Sequence, residues 1–337
     1  MNTDIQSNKV KGALAGLCIG DALAMPVHWY YNRVALQRDY GHVVEYLTPR
    51  NPHPDSILWR SRYSALNAQG EILHDQAQYW GKRGVHYHQF LTAGENTLNV
   101  KICHLLVQSL NEKRGYDADD FLNRYIRFMT TPNNHRDTYI EECHRNFFAN
   151  YAAGRDPYKC GVTEKHIGGL VGIIPLIAFY ADQPNAARSH ALKHLALTHP
   201  GVKMETSAEL VGDIILELFQ GNSLRDAILG QMKAQTNPFI GHPFAKLLNK
   251  SDQKVIGHYF STACYVEDAV PAVLYLALKY HDDPEKALII NTNLGGDNAG
   301  RGAVLGAILG AAHGVDKFPK PWLHGLKEPL PDLHSAW

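Results

Sequence analysis

The chain has 337 residues, 45% of them hydrophobic and 20% charged, a balance that predicts a globular protein with a large core. Its 33 basic and 33 acidic residues cancel, which argues against a nucleic-acid partner, since phosphates demand a basic surface. Five scattered cysteines with no CxxC pair read as reduced thiols rather than a disulfide framework. No run approaching about 18 apolar residues is expected. The opening MNTDIQSNKVKG lacks the apolar stretch of a signal peptide. A cytoplasmic protein without a membrane partner is therefore expected.

The elements follow in chain order. Residues 10–23 are apolar and carry Gly12, Gly16 and Gly20 on one helix face. Each glycine costs about 1 kcal/mol in a helix relative to alanine, so three of them predict close approach by another helix. Residues 30–92 are rich in prolines, aromatics and histidines with little periodicity. They predict a long irregular excursion with short helices, lying over a pocket. Helices are predicted over 96–111, 117–129 and 137–151, then a loop over 153–166. Residues 168–181 are almost wholly apolar and predict a central buried helix. Further helices are expected over 185–198, 204–220, 268–280, with Pro271 in its opening turn, 283–291 and 302–313. The last repeats the small-residue spacing at Gly302, Gly306 and Gly310. Strand signals are nearly absent. One all-α domain over 1–337 is expected, with a proline-bearing surface tail over 317–337.

The segment Gly295-Gly296-Asp297-Asn298-Ala299-Gly300-Arg301-Gly302 is the densest in functional residue types. The paired glycines free the backbone to approach a ligand. Asp297 and Asn298 stand at the start of the last long helix, where amide groups attract an anion. Alternatively, Asp297 simply caps that helix. The GxGxxxG spacing from Gly300 does not match a dinucleotide fingerprint and lacks a βαβ context. His86 and His88 form an HxH pair close to Glu95 and Asn96. Glu71-x-x-His74 and Glu141-x-x-His144 are ExxH motifs without the further glutamates of a di-iron bundle.

These residues resemble a known family. Gly12-Ala-Leu-Ala-Gly-Leu-Cys-Ile-Gly20-Asp21, Thr198-His199-Pro200, and Asp268-Ala-Val-Pro-Ala272 followed by Gly295-Gly296-Asp297 are similar to blocks of the ADP-ribosylglycohydrolase family, spread over some 300 residues. Met25-Pro26-Val27-His28-Trp29 and the 296–302 segment look closest to its J1-crystallin branch. The resemblance implies a compact, orthogonal all-α domain with a central ligand cleft. It also implies hydrolysis of ADP-ribosyl bonds to arginine or serine, using two Mg²⁺ ions. The family's metal ligands come from a Thr-Asp-Asp block and a Gly-Gly-Asp-x-Asp block, and a glutamate lies near the substrate.

The match is poor at those positions. The first block falls on Thr97, Leu98 and Asn99; Ala299 replaces the second aspartate of the other; His28 stands at the glutamate position. His166 begins the segment that reads Ser-Asn-Gly in the family. Two Mg²⁺ ions bring four positive charges and need hard oxygen ligands, which Asp297, Glu95 and neutral amides supply only in part. A full two-magnesium centre is therefore expected to be absent, with at most one Mg²⁺ held weakly by Thr97, Asn99 and Asp297. The expected catalytic residues are His28, Asn99 and Asp297, with His28 as acid or base. The expected ligand-binding residues are Asp21, Glu95, Asn96, His199, Gly295, Gly296, Asn298 and Arg301. The expected partner is a small-molecule or ADP-ribosylated substrate. The alternative is a non-catalytic nucleotide binder or crystallin-like structural protein.

Overall fold

The structure, a computed structural model, describes residues 3–233 and 241–333. Its helices are α1 (Thr3–Ala24), α2 (Arg33–Tyr40), α3 (Leu98–Lys113), α4 (Ala118–Thr130), α5 (Glu142–Ala152), α6 (Gly168–Phe179), α7 (Pro184–Leu195), α8 (Val202–Phe219), α9 (Leu224–Lys233), α10 (Phe244–Leu247), α11 (Asp252–Val255), α12 (Val266–Lys279), α13 (Pro284–Asn293), α14 (Asn298–His313) and α15 (Lys320–Gly325). Among the described residues there is no strand, only isolated bridges. The fold is all-α, as the periodicity predicts.

Helices α1 and α14 lie antiparallel at the centre, glycine against glycine. Gly12 meets Gly310, Gly16 meets Gly306, and Gly20 meets Gly302. A Cβ on Gly16 would sit 2.0 Å from the Gly306 carbonyl oxygen, far inside van der Waals contact. This contact sets the C-terminal end of α1 beside the N-terminal end of α14, and the site is built there. Around the pair, α6, α8 and α12 bury almost every apolar side chain in one cluster. Each such side chain contributes about 1.5–3 kcal/mol on burial. A second cluster joins α3, α4 and α5 through Phe121, Tyr125, Phe147 and Phe148.

Gln6–Val27 is long and apolar enough to cross a membrane, which corrects the expectation that no run reaches that length. Its hydrophobic window is 94% buried by the rest of the protein, as a core helix requires. The excursion over 30–92 forms α2 and short 3₁₀ turns. Buried histidines hold it to the chain after α1. His53 Nε2 meets the His28 carbonyl and His86 Nε2 the Pro26 carbonyl, both at 3.0 Å. Burial lowers the proton affinity of both rings, so they act as neutral donors.

Three expectations are corrected. The helix predicted over 137–151 begins only at Glu142, because the amides of Thr138 and Tyr139 both donate to the Tyr87 carbonyl. That holds the chain before Glu142 outside the helix. Pro271 lies inside α12 rather than in its opening turn. The chain after Lys317 buries Phe318 and Trp322 rather than only wrapping the surface; residues 334–337 lie outside the described residues.

Candidate active site

Asp297 caps α14, accepting from the Gly300 amide at 3.3 Å. Gly295 and Gly296 precede it at φ of 69° and 68°, left-handed angles that suit glycine. There the Gly296 amide bonds to the Tyr30 carbonyl at 2.7 Å, and the Trp29 amide returns a bond at 2.8 Å. This exchange sets His28 against Asp297. His28 Nε2 lies 2.9 Å from Asp297 Oδ1, and its Nδ1 lies 2.8 Å from His88 Nε2. His88 Nδ1 in turn bonds to Asp137. The result is a buried row, Asp297–His28–His88–Asp137. Its three links are all satisfied when the two rings share three protons, hence one positive charge. Burial alone would raise Asp297, but the bond and charge of His28, then Arg301, hold it below the usual carboxylate range. Asp137 is likewise lowered against its burial, by His88 and Lys101.

The other expected residues fall into separate groups. Asp21 accepts from the Thr97 amide (2.8 Å), the Thr97 hydroxyl (2.7 Å) and Asn96 Nδ2 (2.8 Å). It thereby ties α1 to the start of α3. Burial lifts it to about 6, against those bonds. Glu95 is paired with Lys101 and Arg136, each at 2.7 Å. Asn298 donates to the carbonyls of Thr292 and Val27. Arg301 is fully buried and bonds to Asn291 and the Gly295 carbonyl. It therefore braces the glycine turn from behind, while its Nη1 has no partner among the described residues. His199 bonds to the Thr198 hydroxyl at 2.8 Å, next to α6.

The fit of a two-magnesium centre is tested by this donor set. The Thr97 hydroxyl donates to Asp21, and Asp297 Oδ1 meets both His28 and the Gly300 amide. Leu98 and Ala299 have no donor atom. Among the described residues, no three His, Cys, Asp or Glu side chains are grouped to hold a metal ion. Mg²⁺ needs near-octahedral oxygen ligands; at the positions of the family's two metal-ligand blocks this chain keeps the Thr97 hydroxyl and the Asp297 carboxylate.

Beside the row opens a cleft of about 350 Å³, walled by Trp29, Tyr31, Tyr87, Tyr139 and Tyr265, with Arg60, Glu141, Glu142, His166 and Cys264. Two extended segments build one wall. The Ile167 amide bonds to the Cys264 carbonyl and the Val266 amide to the Lys165 carbonyl, both at 2.8 Å. They place His166 next to Cys264, with His166 Nδ1 2.9 Å from Glu164 as an ion pair. The other four cysteines are buried.

Glu141 is the residue that sequence reasoning missed. It precedes α5 in an extended conformation of its own and accepts from Asn99 Nδ2 at 2.9 Å. Burial, then the negative charge of Asp297, raises it to about 7. Its ExxH motif drew attention, but to a metal. His144 instead points away, bonding to the Tyr125 hydroxyl at 2.7 Å. Nothing in the spacing shows that α5 starts only at Glu142, which leaves Glu141 outside the helix on the cleft wall.

An all-α protein with an aromatic-walled cleft, built mainly by the segments between its helices, is the class that fold and site define. The family model for ADP-ribosylglycohydrolase matches residues 1–336. The chain therefore belongs to the ADP-ribosylglycohydrolase family, whose members are typically glycosyl-bond hydrolases. It is 24% identical over 324 residues to an uncharacterized protein of Archaeoglobus fulgidus, covering 95% of this chain and 92% of that one. A solved structure described as an ADP-ribosylglycohydrolase-related protein complex shares the fold. Its TM-score is 0.63 at 24% identity, covering 96% of this chain and 93% of that one.

Proposed function

We propose that the chain hydrolyses a glycosyl bond of an ADP-ribosylated or related substrate, with Glu141 as general acid and without a two-magnesium centre. One observation carries this reading: Glu141, lifted to about 7 on the cleft wall, is coupled to an Asp297 held ionised. Two carboxyls pushed apart in this way suit an acid and its charged partner. Glu141 gives its proton to the leaving oxygen or nitrogen, and Asn99 orients it. The aromatic walls stack a base or sugar. His28 is engaged at both ring nitrogens, so it positions Asp297 and takes no proton from water.

The test is a panel of ADP-ribosyl-arginine, ADP-ribosyl-serine peptides and nucleosides, assayed with Mg²⁺ and with a chelator. Glu141→Gln should lower kcat by about 10²–10⁴-fold, the usual range for losing an acid or base. Full turnover by that variant would sink the assignment.

A second reading is favoured by the Asp21–Thr97–Asn96 group, whose bonds close on one another. It is a non-catalytic ADP-ribose binder on the same scaffold. Binding by the wild-type protein with no turnover across the panel would establish it.

A further inference from the structure

Outside the cleft, the excursion over 30–92 carries a basic patch that the proposed reaction does not use. Two of its segments, 57–62 and 79–83, are joined there. The Gly81 amide donates to the Leu58 carbonyl at 2.8 Å. The Arg83 guanidinium lies 4.0 Å from the centre of the Trp59 ring. Arg62 Nη1 donates to the Trp59 and Ser61 carbonyls at 3.1 and 2.9 Å. From α5, Arg145 Nη1 donates to the Arg62 carbonyl at 3.2 Å. These contacts gather Arg60, Arg62, Lys82 and Arg83, all exposed, on one lip, and Arg60 also lines the cleft.

The chain as a whole is neutral, so the patch is a local concentration of charge and not a reflection of composition. Among the described residues none of these four is ion-paired, whereas Arg38, Arg124 and Arg188 each meet an aspartate. Neighbouring carboxylates are engaged elsewhere. Asp55 accepts the amides of Tyr31 and Asn32, and Glu71 accepts those of Leu73 and His74. Glu142 lines the cleft itself and bounds the patch on that side.

Gathered, unpaired cations draw in an anion and hold it by charge-assisted hydrogen bonds. The aromatic rings decide which anion. Arg83 lies over Trp59, Lys82 over Tyr79 at 5.3 Å, and Arg145 over Trp80 at 5.4 Å. Single-stranded nucleic acid is held by bases stacked on aromatic faces, and here a cation already lies over each ring. The guanidinium edges stay open, and their planar forks match carboxylates.

We propose that this lip docks an acidic peptide segment, a glutamate- and aspartate-rich stretch of a protein substrate whose modified side chain enters the cleft beside Arg60. That the docked chain carries the group cleaved in the cleft rests on the proposed function. The docking itself does not.

Fluorescence anisotropy of the whole protein tests this, with a labelled Glu-Ser repeat peptide, its Gln-Ser counterpart and a single-stranded oligo-dT of the same net charge as the first. The wild type should bind Glu-Ser about tenfold more tightly than Gln-Ser, and the difference should shrink as salt screens it. Lys82→Glu with Arg83→Glu should weaken Glu-Ser binding by about tenfold or more, with the Tm and the turnover of ADP-ribosyl-arginine unchanged. The milder pair Lys82→Gln and Arg83→Gln should act in the same direction. Equal binding of the two peptides overturns the docking surface. Glu-Ser binding that neither double variant weakens overturns its placement on this lip. Tighter binding of oligo-dT than of Glu-Ser overturns the peptide as occupant in favour of a nucleic acid. ADP-ribosyl-serine peptides separate this from the reaction: flanking glutamates should lower KM relative to flanking glutamines. No turnover of any modified peptide, with Glu-Ser binding intact and lost in the variants, overturns the hydrolase reading and upholds the docking surface.

Discussion

After burial, the charge of Asp297 is the largest cause holding a proton on Glu141, while Asp297 itself stays ionised beside His28. The two carboxyls are thus one electrostatic unit, although they enter the site from different ends of the chain.

This pairing predicts a pH dependence. Glu141 is raised from 4.5 to about 7 and Asp21 from 3.8 to about 6. A raised carboxyl stabilises the fold most below its unfolded value, and that stability is lost as pH rises through the folded one. The two residues should therefore lower stability between about pH 4 and 7, each tenfold gain in proton affinity on folding being worth about 1.4 kcal/mol. Denaturant titrations of Glu141→Gln should show a flatter slope over that window. An unchanged slope would show that Glu141 is not raised.

Removing divalent cations should change neither the Tm nor the affinity for ADP-ribose. Calorimetry in Mg²⁺ and in a chelator is the direct measurement. Tenfold tighter binding in Mg²⁺ would mean that the oxygen donors rearrange around the ion.

Asp137→Ala leaves the His88 end of the row unpaired in the interior. Breaking a buried pair typically costs about 3–5 kcal/mol. The urea midpoint should fall accordingly, and a loss below about 1 kcal/mol would show that the row is not coupled to folding.

Glycines should sort by what faces them. Gly306→Ala puts a methyl 2.0 Å from the Gly16 carbonyl oxygen and should cost several kcal/mol, on the order of a severe core lesion. Gly230, inside α9, has nothing within 4 Å. Gly230→Ala should instead stabilise by about 0.5–1 kcal/mol. Equal effects in thermal melts would argue against backbone contact between α1 and α14.

Much of the fold is legible from local pattern. The apolar period places most of the helices, and the two glycine rows announce close packing before any partner is known. Asp297 as a cap and His28 beside it follow from chain order and resemblance. What stays hidden depends on contacts distant in sequence. His86 reads as half of an HxH pair, yet it and His53 are neutral donors to carbonyls after α1. Arg301 reads as a ligand-binding residue, and its burial against Asn291 and the Gly295 carbonyl is not legible from the pattern. The Cys264–His166 neighbours are invisible because a bridge between distant segments, without strand-like alternation, sets their direction, and Glu141 because the late start of α5 does.

The glycine rows also decide where the molecule tolerates a change of length. Sliding α14 along α1 by one residue, about 1.5 Å, would bring the methyls of Ala303, Ala307 and Ala311 towards carbonyls that now meet hydrogen. The pair therefore has one seating. A single-residue insertion within either helix would part His28 from Asp297, residues 269 apart in sequence, even where the apolar core could repack around it.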